Sequence, residues 1–363
     1  MLKWSIRTAA FCLAAVLLLM SVNAAPTTSA RAGILIDADT GEILYEHNAN
    51  TPSLIASTTK IMTAVVVLEH LPLQQVVKIP NEAVGIEGSS MYLKAGETLS
   101  VQDLLYGMML HSGNDAAVAL ALICAGSVEE FVDLMNLKAQ KLGLKNTHFE
   151  NPNGLDGDTH YSSAYDLAAL TRYALKNDDF AKIVSTPKIT IGGRTLTNHN
   201  RLLWSCEGCI GVKTGYTKAA GRILVSAAER NGRKLIAVTI HDGDDWKDHT
   251  QLYEYGFSLY KQKTLIRTGE PVARIALMQG MDACLIAGES VDYFCAEGEE
   301  ASVQVDYPQF AFEKGEAGSY AGLGSVYLGD RKIATIRLLW GDSDGGENTE
   351  DHFGPRDRLS SCG

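Results

Sequence analysis

Asn231-Gly232, set between the alternating apolar runs 222–229 and 234–240, is the strongest short hairpin signal in the chain and fixes an antiparallel strand pair late in the sequence. A second hairpin is predicted early, where Gly33-Ile34-Leu35-Ile36-Asp37 and Glu42-Ile43-Leu44-Tyr45-Glu46 flank Ala38-Asp39-Thr40-Gly41. What lies between is mostly helical. Apolar periodicity and capping residues predict helices over 58–71, 100–111, 116–125, 127–143 and 163–176. Strands return over 188–191, 194–197 and 211–216, and a last helix is predicted over 245–260. Strands at both ends with helices inserted between them imply an antiparallel sheet closed by the terminal strands, an α+β arrangement with a helical subdomain.

The rest of the chain divides by composition. Lys3 and Arg7 precede an apolar core over 9–20, and Val22-Asn23-Ala24-Ala25 supplies small residues at cleavage spacing, so residues 1–24 are expected to be an export signal. The apolar stretch is shorter than the roughly 20 residues a spanning helix needs. The main domain is expected over 25–263, a small all-β domain of short alternating segments over 264–341, and an acidic, flexible tail without an amphipathic anchor over 342–363. A net charge of −11 without a basic run argues against nucleic acid or anionic lipid as partner.

Of seven cysteines, six lie beyond the signal, where export would permit disulfides. Cys206 and Cys209 form a C-x-x-C read as a disulfide or as free thiols, with zinc disfavoured because no second pair at ligand spacing follows. Cys284 and Cys295 are placed to close a hairpin, Cys124 belongs to an apolar helix, and Cys362 lies in the tail. His241, Asp242, Asp244, Asp245 and His249 cluster without metalloprotease or calcium-loop spacing and read as a solvated loop before a helix. No metal and no cofactor is expected.

Chemistry is concentrated in three segments. Ser57-Thr58-Thr59-Lys60 opens the apolar run 61–68, and on a helix the Ser57 hydroxyl and the Lys60 amine share a face. Ser185-Thr186-Pro187-Lys188 and Ser258-Leu259-Tyr260-Lys261 match the same pattern, but the first contains Pro187 and the second ends a helix with no apolar run behind it. Only Ser57 stands where a buried helix start can hold a neutral lysine beside a nucleophile. Ser112-Gly113-Asn114 sits on a break between two helices and offers a hydroxyl relay and an amide to hold a substrate backbone. Lys213-Thr214-Gly215 is on a predicted strand, where a lysine and a hydroxyl can bind a carboxylate and Gly215 lets substrate approach the backbone.

In that order the three segments resemble the motif set of the penicillin-recognising serine enzymes. The flanks resemble the D-alanyl-D-alanine carboxypeptidases, or low-molecular-mass penicillin-binding proteins. They include Gly88-Ser89-Ser90-Met91-Tyr92-Leu93, Ser112 to Ala117, Asn151-Pro152-Asn153-Gly154-Leu155, His160 to Asp166, and Gly211 to Thr217. The resemblance spans about residues 30 to 260 and implies a β-lactamase/transpeptidase-like domain. It also implies roles. Ser57 would attack the carbonyl between the last two D-alanines of a peptidoglycan stem peptide, and Lys60 would take its proton. Ser112 would relay a proton to the leaving amine, Asn114 would orient the substrate amide, and Lys213 and Thr214 would bind the terminal carboxylate. The backbone N–H groups of Ser57 and Tyr216 would form the oxyanion hole, each donor worth about 2.7–4 kcal/mol.

β-Lactams would acylate the same serine, and no obligate protein partner is implied. The implied location is outside the cytoplasm, at the outer membrane face or the cell wall, with a role in wall biogenesis and cell shape. A class A β-lactamase shares the motifs but needs a carboxylate for its deacylating water. The loop 150–166 holds Glu150, Asp156, Asp158 and Asp166, yet its text follows the carboxypeptidases. A D,D-endopeptidase with the same centre and a wall-binding protein with a decayed centre are the other readings. Two departures stand out: His111 before Ser112, and the cysteines before the third motif.

Overall fold

The structure, a computed structural model, describes residues 25–278, 282–296, 298, 301–306, 310–311 and 313–341. The expected export signal and acidic tail lie outside the described residues. The chain divides into two compact units between Leu259 and Tyr260. Among the described residues no helix is long and apolar enough to cross a membrane.

The first unit opens with the hairpin β1 (Ala32–Asp37) and β2 (Ile43–His47), then a 3-10 turn, Ala56–Thr59, and helix α1 (Lys60–His70). The ribbon β3 (Val76–Lys78) and β4 (Thr98–Ser100) leads into α2 (Val101–Leu110), α3 (Asn114–Ala125), α4 (Val128–Lys141), α5 (Ala164–Ala174) and α6 (Asp178–Ser185). A second ribbon, β5 (Lys188–Ile191) with β6 (Arg194–Thr197), and the single turn α7 (Leu202–Ser205) precede the three long strands. These are β7 (Cys209–Thr217), β8 (Gly221–Arg230) and β9 (Arg233–Ile240), followed by α8 (Asp245–Ser258).

The main sheet is antiparallel in the order β2-β1-β9-β8-β7, so the early hairpin docks on the late strands. Asn231 and Gly232 have φ of 51° and 74°, the left-handed pair that a tight β8–β9 turn requires. Strand β1 is buried along its whole length because it has neighbours on both edges and helices on both faces. Ile34, Ile36, Ile236 and Val238 join the helical core, whereas Leu35 and Leu235 close against Gly256 of α8. A methyl group on Gly256 would lie 2.6 Å from Leu35, so glycine there lets α8 lie flat on the sheet.

Serine caps start three of the helices, α2, α4 and α5. Ser100 Oγ accepts from Asp103 N at 3.0 Å while the Asp103 carboxylate accepts from Ser100 N, and Ser127 and Ser163 accept from the third residue of their own helices. Helix α1 is deeply set, with residues 60–67 all buried. The helix expected from Thr58 begins instead as a 3-10 turn and becomes α-helical only at Lys60. Helix α6 and the β3–β4 ribbon lie outside the elements expected from the sequence. Both are short, and three residues give alternation too little length to register.

The second unit pairs Lys261–Ile266 with Val291–Cys295 and builds a six-stranded sheet around Arg331–Trp340, with Ile275, Leu285, Val326, Ile336 and Leu338 in its core. The hairpin expected to join Cys284 to Cys295 is not formed. Asp282–Ala287 pairs with Pro271–Leu277 and with Arg331–Trp340, so the two cysteines lie in different sheets and are not bonded to one another.

Candidate active site

Ser57 sits in the 3-10 turn ahead of α1, three residues before Lys60, and the turn brings the two side chains together: Lys60 Nζ lies 2.9 Å from Ser57 Oγ. Lys60 is fully buried, and its other contacts are Asn114 Oδ1 at 2.7 Å and the carbonyl oxygen of Asn153 at 2.5 Å. Burial drives its pKa well below the usual lysine value, and nearby Lys213 lowers it further while Asp115 opposes them. A neutral amine has two hydrogens and one lone pair. The two carbonyl oxygens take the hydrogens, which leaves the lone pair for the Ser57 hydroxyl proton.

Ser112 and Asn114 occupy the break between α2 and α3. Ser112 is in the left-handed region at φ 62°, which ends α2 and turns the chain into α3. Asn114 is the first residue of α3 and reaches two ways: its oxygen accepts from Lys60, and its Nδ2 donates to Glu87 O at 2.6 Å. Besides any hold on substrate, Asn114 therefore fixes the lysine. Asp115 anchors the neighbouring loop. Its buried carboxylate accepts from Met91 N at 2.9 Å, Leu93 N at 3.1 Å and Ser90 Oγ at 2.7 Å. Gly88 in that loop passes so close to Asn114 that a Cβ would sit 2.7 Å from Nδ2.

On the other wall, edge strand β7 carries Lys213, Thr214, Gly215 and Tyr216. Lys213 is 1% exposed, and burial lowers its pKa to about 7. Its Nζ donates to Thr214 O at 3.0 Å. The space left by Gly215 is taken by the Ser57 turn: a Cβ there would lie 3.1 Å from Ile55 O and 3.3 Å from Ser57 N. Glycine is needed at that point for the strand to lie against the nucleophile's own backbone. Tyr216 is 66% exposed at the cleft edge. Ser57, Ser112, Thr214, Gly215 and Tyr216 line one open cleft of about 950 Å³, with Trp204, Arg222 and Trp246 on its outer part.

The segment 151–155 reads in the sequence as a loop-rich stretch and as text matching the family. It supplies the Asn153 carbonyl to Lys60, and Thr63 Oγ1 of α1 donates to Pro152 O at 2.6 Å. Within it, Asn151 Oδ1 accepts from Gly154 N at 2.7 Å. A backbone carbonyl leaves no mark in residue type, but Asn-Pro-Asn-Gly is a dense turn signal, and turns are where a carbonyl can be aimed inward. The two departures have local explanations. The His111 ring packs 5.0 Å from the His199 ring at the cleft wall, and Cys206 and Cys209 bracket the turn ahead of β7 as free thiols. Burial pushes the Cys209 thiol up to about 11, and Cys206 is raised as well, which leaves both protonated and unreactive near neutral pH.

The acidic cluster after β9 is engaged in pairings of its own, with Asp245 at the cleft. Asp245 pairs with Arg222, while Asp242 and Asp248 accept from Ser29. Among the described residues no group of three or more His, Cys, Asp or Glu is placed to hold a metal ion.

A family model described as D-alanyl-D-alanine carboxypeptidase matches residues 20–244. The D-alanyl-D-alanine carboxypeptidase DacF of Bacillus subtilis (strain 168) is 36% identical over 286 residues, covering 75% of this chain and 74% of that protein. DacC of Escherichia coli (strain K12) is 35% identical over 302 residues, 78% of this chain and 75% of the relative. Among solved structures, a mutant Streptomyces DD-transpeptidase aligns at a TM-score of 0.62 and 37% identity, covering 64% of this chain and all of its own. Penicillin binding protein 5 from Haemophilus influenzae aligns at a TM-score of 0.63 and 29% identity, covering 87% and 98%.

Proposed function

The chain belongs to the D-alanyl-D-alanine carboxypeptidase family, and on that premise we infer that it is a serine-type DD-carboxypeptidase working through an acyl-enzyme on Ser57. The observation that carries the assignment of Ser57 is the environment of Lys60, buried and held by two carbonyl oxygens with Ser57 Oγ as its third neighbour at 2.9 Å.

The substrate in this reading is a peptidoglycan stem peptide ending in D-Ala-D-Ala. Its terminal carboxylate meets Lys213 and Thr214, its backbone amide meets Asn114, and its scissile carbonyl oxygen enters between the N–H groups of Ser57 and Tyr216. Lys60 accepts the Ser57 proton as the hydroxyl attacks. Ser112, whose backbone turns it into the cleft wall, passes a proton to the departing D-alanine amine. Water then releases the acyl group. β-Lactams enter the same route and stop at the acyl-enzyme. The β-lactamase alternative is disfavoured by the loop carboxylates, which are engaged away from Ser57: Glu150 with Thr159, Asp166 with Asn146 and Thr147, Asp156 with Thr217. In this proposal the protein acts outside the cytoplasm after loss of residues 1–24, in peptidoglycan biogenesis and cell shape.

The test is mass spectrometry of products from a defined stem pentapeptide. Release of one D-alanine by the wild type and none by Ser57→Ala is expected, together with a long-lived penicillin adduct on Ser57. Rapid penicillin turnover would favour the β-lactamase, and an intact pentapeptide would favour a wall-binding protein.

A further inference from the structure

Residue Ala56, directly before Ser57, has φ 43°, a left-handed conformation that costs an L-residue about 1–2 kcal/mol. Something must hold that peptide. The Ala56 carbonyl accepts the Thr59 hydroxyl hydrogen at 2.8 Å. Thr59 has a single hydroxyl hydrogen, so toward His160 Nε2, 2.7 Å away, it is the acceptor and Nε2 is the donor. The opposite ring nitrogen, Nδ1, accepts from Glu150 N at 3.1 Å, which fixes the same tautomer independently. His160 is 1% exposed, its ring edge-on to Phe149 at 5.8 Å. Gly154 packs against the same peptide, where a Cβ would sit 2.0 Å from Ala56 O and 2.9 Å from Ser57 N.

In a trans peptide the carbonyl and the following N–H point in opposite directions. Pinning the Ala56 oxygen inward toward Thr59 therefore turns the Ser57 N–H outward, to the side where β7 and Gly215 face it. We propose that His160 is a positioning residue for acylation: through Thr59 it holds the Ala56 carbonyl and so aims the Ser57 N–H at the substrate oxygen. His160 does not touch substrate. Burial lowers its pKa to about 4, so it stays neutral, with Nε2 protonated, above that pH.

The proposal rests on the reading that Ser57 is the acylated serine. The two ring nitrogens allow a dissection, since a glutamine amide nitrogen reaches the Nε2 position and an asparagine oxygen the Nδ1 position. The measurement is the acylation of full-length wild type, His160→Gln, His160→Asn and Thr59→Val by a fluorescent penicillin, resolved into binding and acylation constants, with melting midpoints alongside. His160→Asn and Thr59→Val are expected to acylate about ten- to a hundredfold more slowly, less than the roughly 10²- to 10³-fold for outright loss of an oxyanion donor, because the donor is misplaced and not removed. Their binding constants should stay within about threefold, since the interaction lost is made only in the transition state. His160→Gln should restore most of the rate, and the double variant Thr59→Val/His160→Asn should be no slower than the worse single one. A His160→Asn enzyme as fast as wild type, or a His160→Gln enzyme as slow as His160→Asn at an equal melting midpoint, would overturn the proposal. Failure of the wild type to carry penicillin on Ser57 would overturn the active-site reading itself.

Discussion

The two walls of the cleft are built differently. On the helical wall nearly every polar group is engaged: Lys60 on Ser57, Asn114 and Asn153, Asn114 on Glu87, Asp115 on three donors of the 87–93 loop. On the strand wall Lys213 donates to Thr214 O, with no further partner among the described residues, and Tyr216 stands out in solvent. A wall that must present a nucleophile gains from having its groups fixed before substrate arrives, since preorganised groups need no rearrangement during the reaction. A wall that must receive a carboxylate gains from donors left free for it. In the proposed reading the helical wall supplies the nucleophile and its base, and the strand wall supplies the carboxylate donors and one oxyanion N–H; three substitutions test that division.

The largest effect is expected from Lys60→Arg. A guanidinium keeps hydrogen-bond donors at the position but stays protonated in a protein, so it has no lone pair for the Ser57 proton. If the helical wall supplies the base, acylation by penicillin should fall on the order of 10²- to 10⁴-fold, the usual worth of a positioned base. Rapid-mixing kinetics measure it, and an arginine variant within tenfold of wild type would break the division by removing Lys60 from the proton path.

The same division explains how much was legible in the sequence. Ser57, Lys60, Ser112, Asn114, Lys213, Thr214 and Gly215 are recognisable because side chains or glycine, at spacings that helix and strand geometry make meaningful, carry the signal; Ser57, Ser112, Thr214, Gly215 and Tyr216 line one cleft, with Lys60 buried against Ser57 and Asn114. The closure of the sheet by its terminal strands was equally readable from the two hairpin signals. The Asn153 carbonyl, the Asp115 anchor and the Thr59–His160 link were not. They act through backbone groups or across 101 residues of chain, where periodicity carries no information. Gly215 was read as room for substrate because its neighbour across the cleft, the Ser57 turn, is distant in sequence.

A middle-sized effect is expected on the strand wall. Lys213→Gln removes a charge-assisted contact to the terminal carboxylate, worth about 1.5–3 kcal/mol, or roughly 10- to 150-fold in kcat/KM for the pentapeptide. In the wild type Lys213 is charged below about pH 7 and loses its proton above it, so kcat/KM should decline as pH rises through about 7, and the variant should lack that decline. Loss of the Lys213 charge also relieves Lys60, whose pKa rises, so the acid limb of acylation moves to higher pH. An unchanged alkaline limb in kcat/KM would separate Lys213 from carboxylate binding.

The smallest effect, and the sharpest on sign, belongs to Asp115→Asn. Asp115 acts on Lys60 in the opposite sense to Lys213, since its negative charge favours the ammonium form. Its removal lowers the Lys60 pKa further, and the acid limb of acylation should move to lower pH, in the reverse direction from Lys213→Gln. The variant should also lose about 1.5–3 kcal/mol of stability, because the amide turns one of the two acceptor oxygens serving Met91 N, Leu93 N and Ser90 Oγ into a donor. The two readouts are independent. A stability loss without the pH shift would confine Asp115 to anchoring the loop, whereas limbs displaced in opposite directions by the two variants would show that the charge on either side of Lys60 sets the pH at which Ser57 is activated.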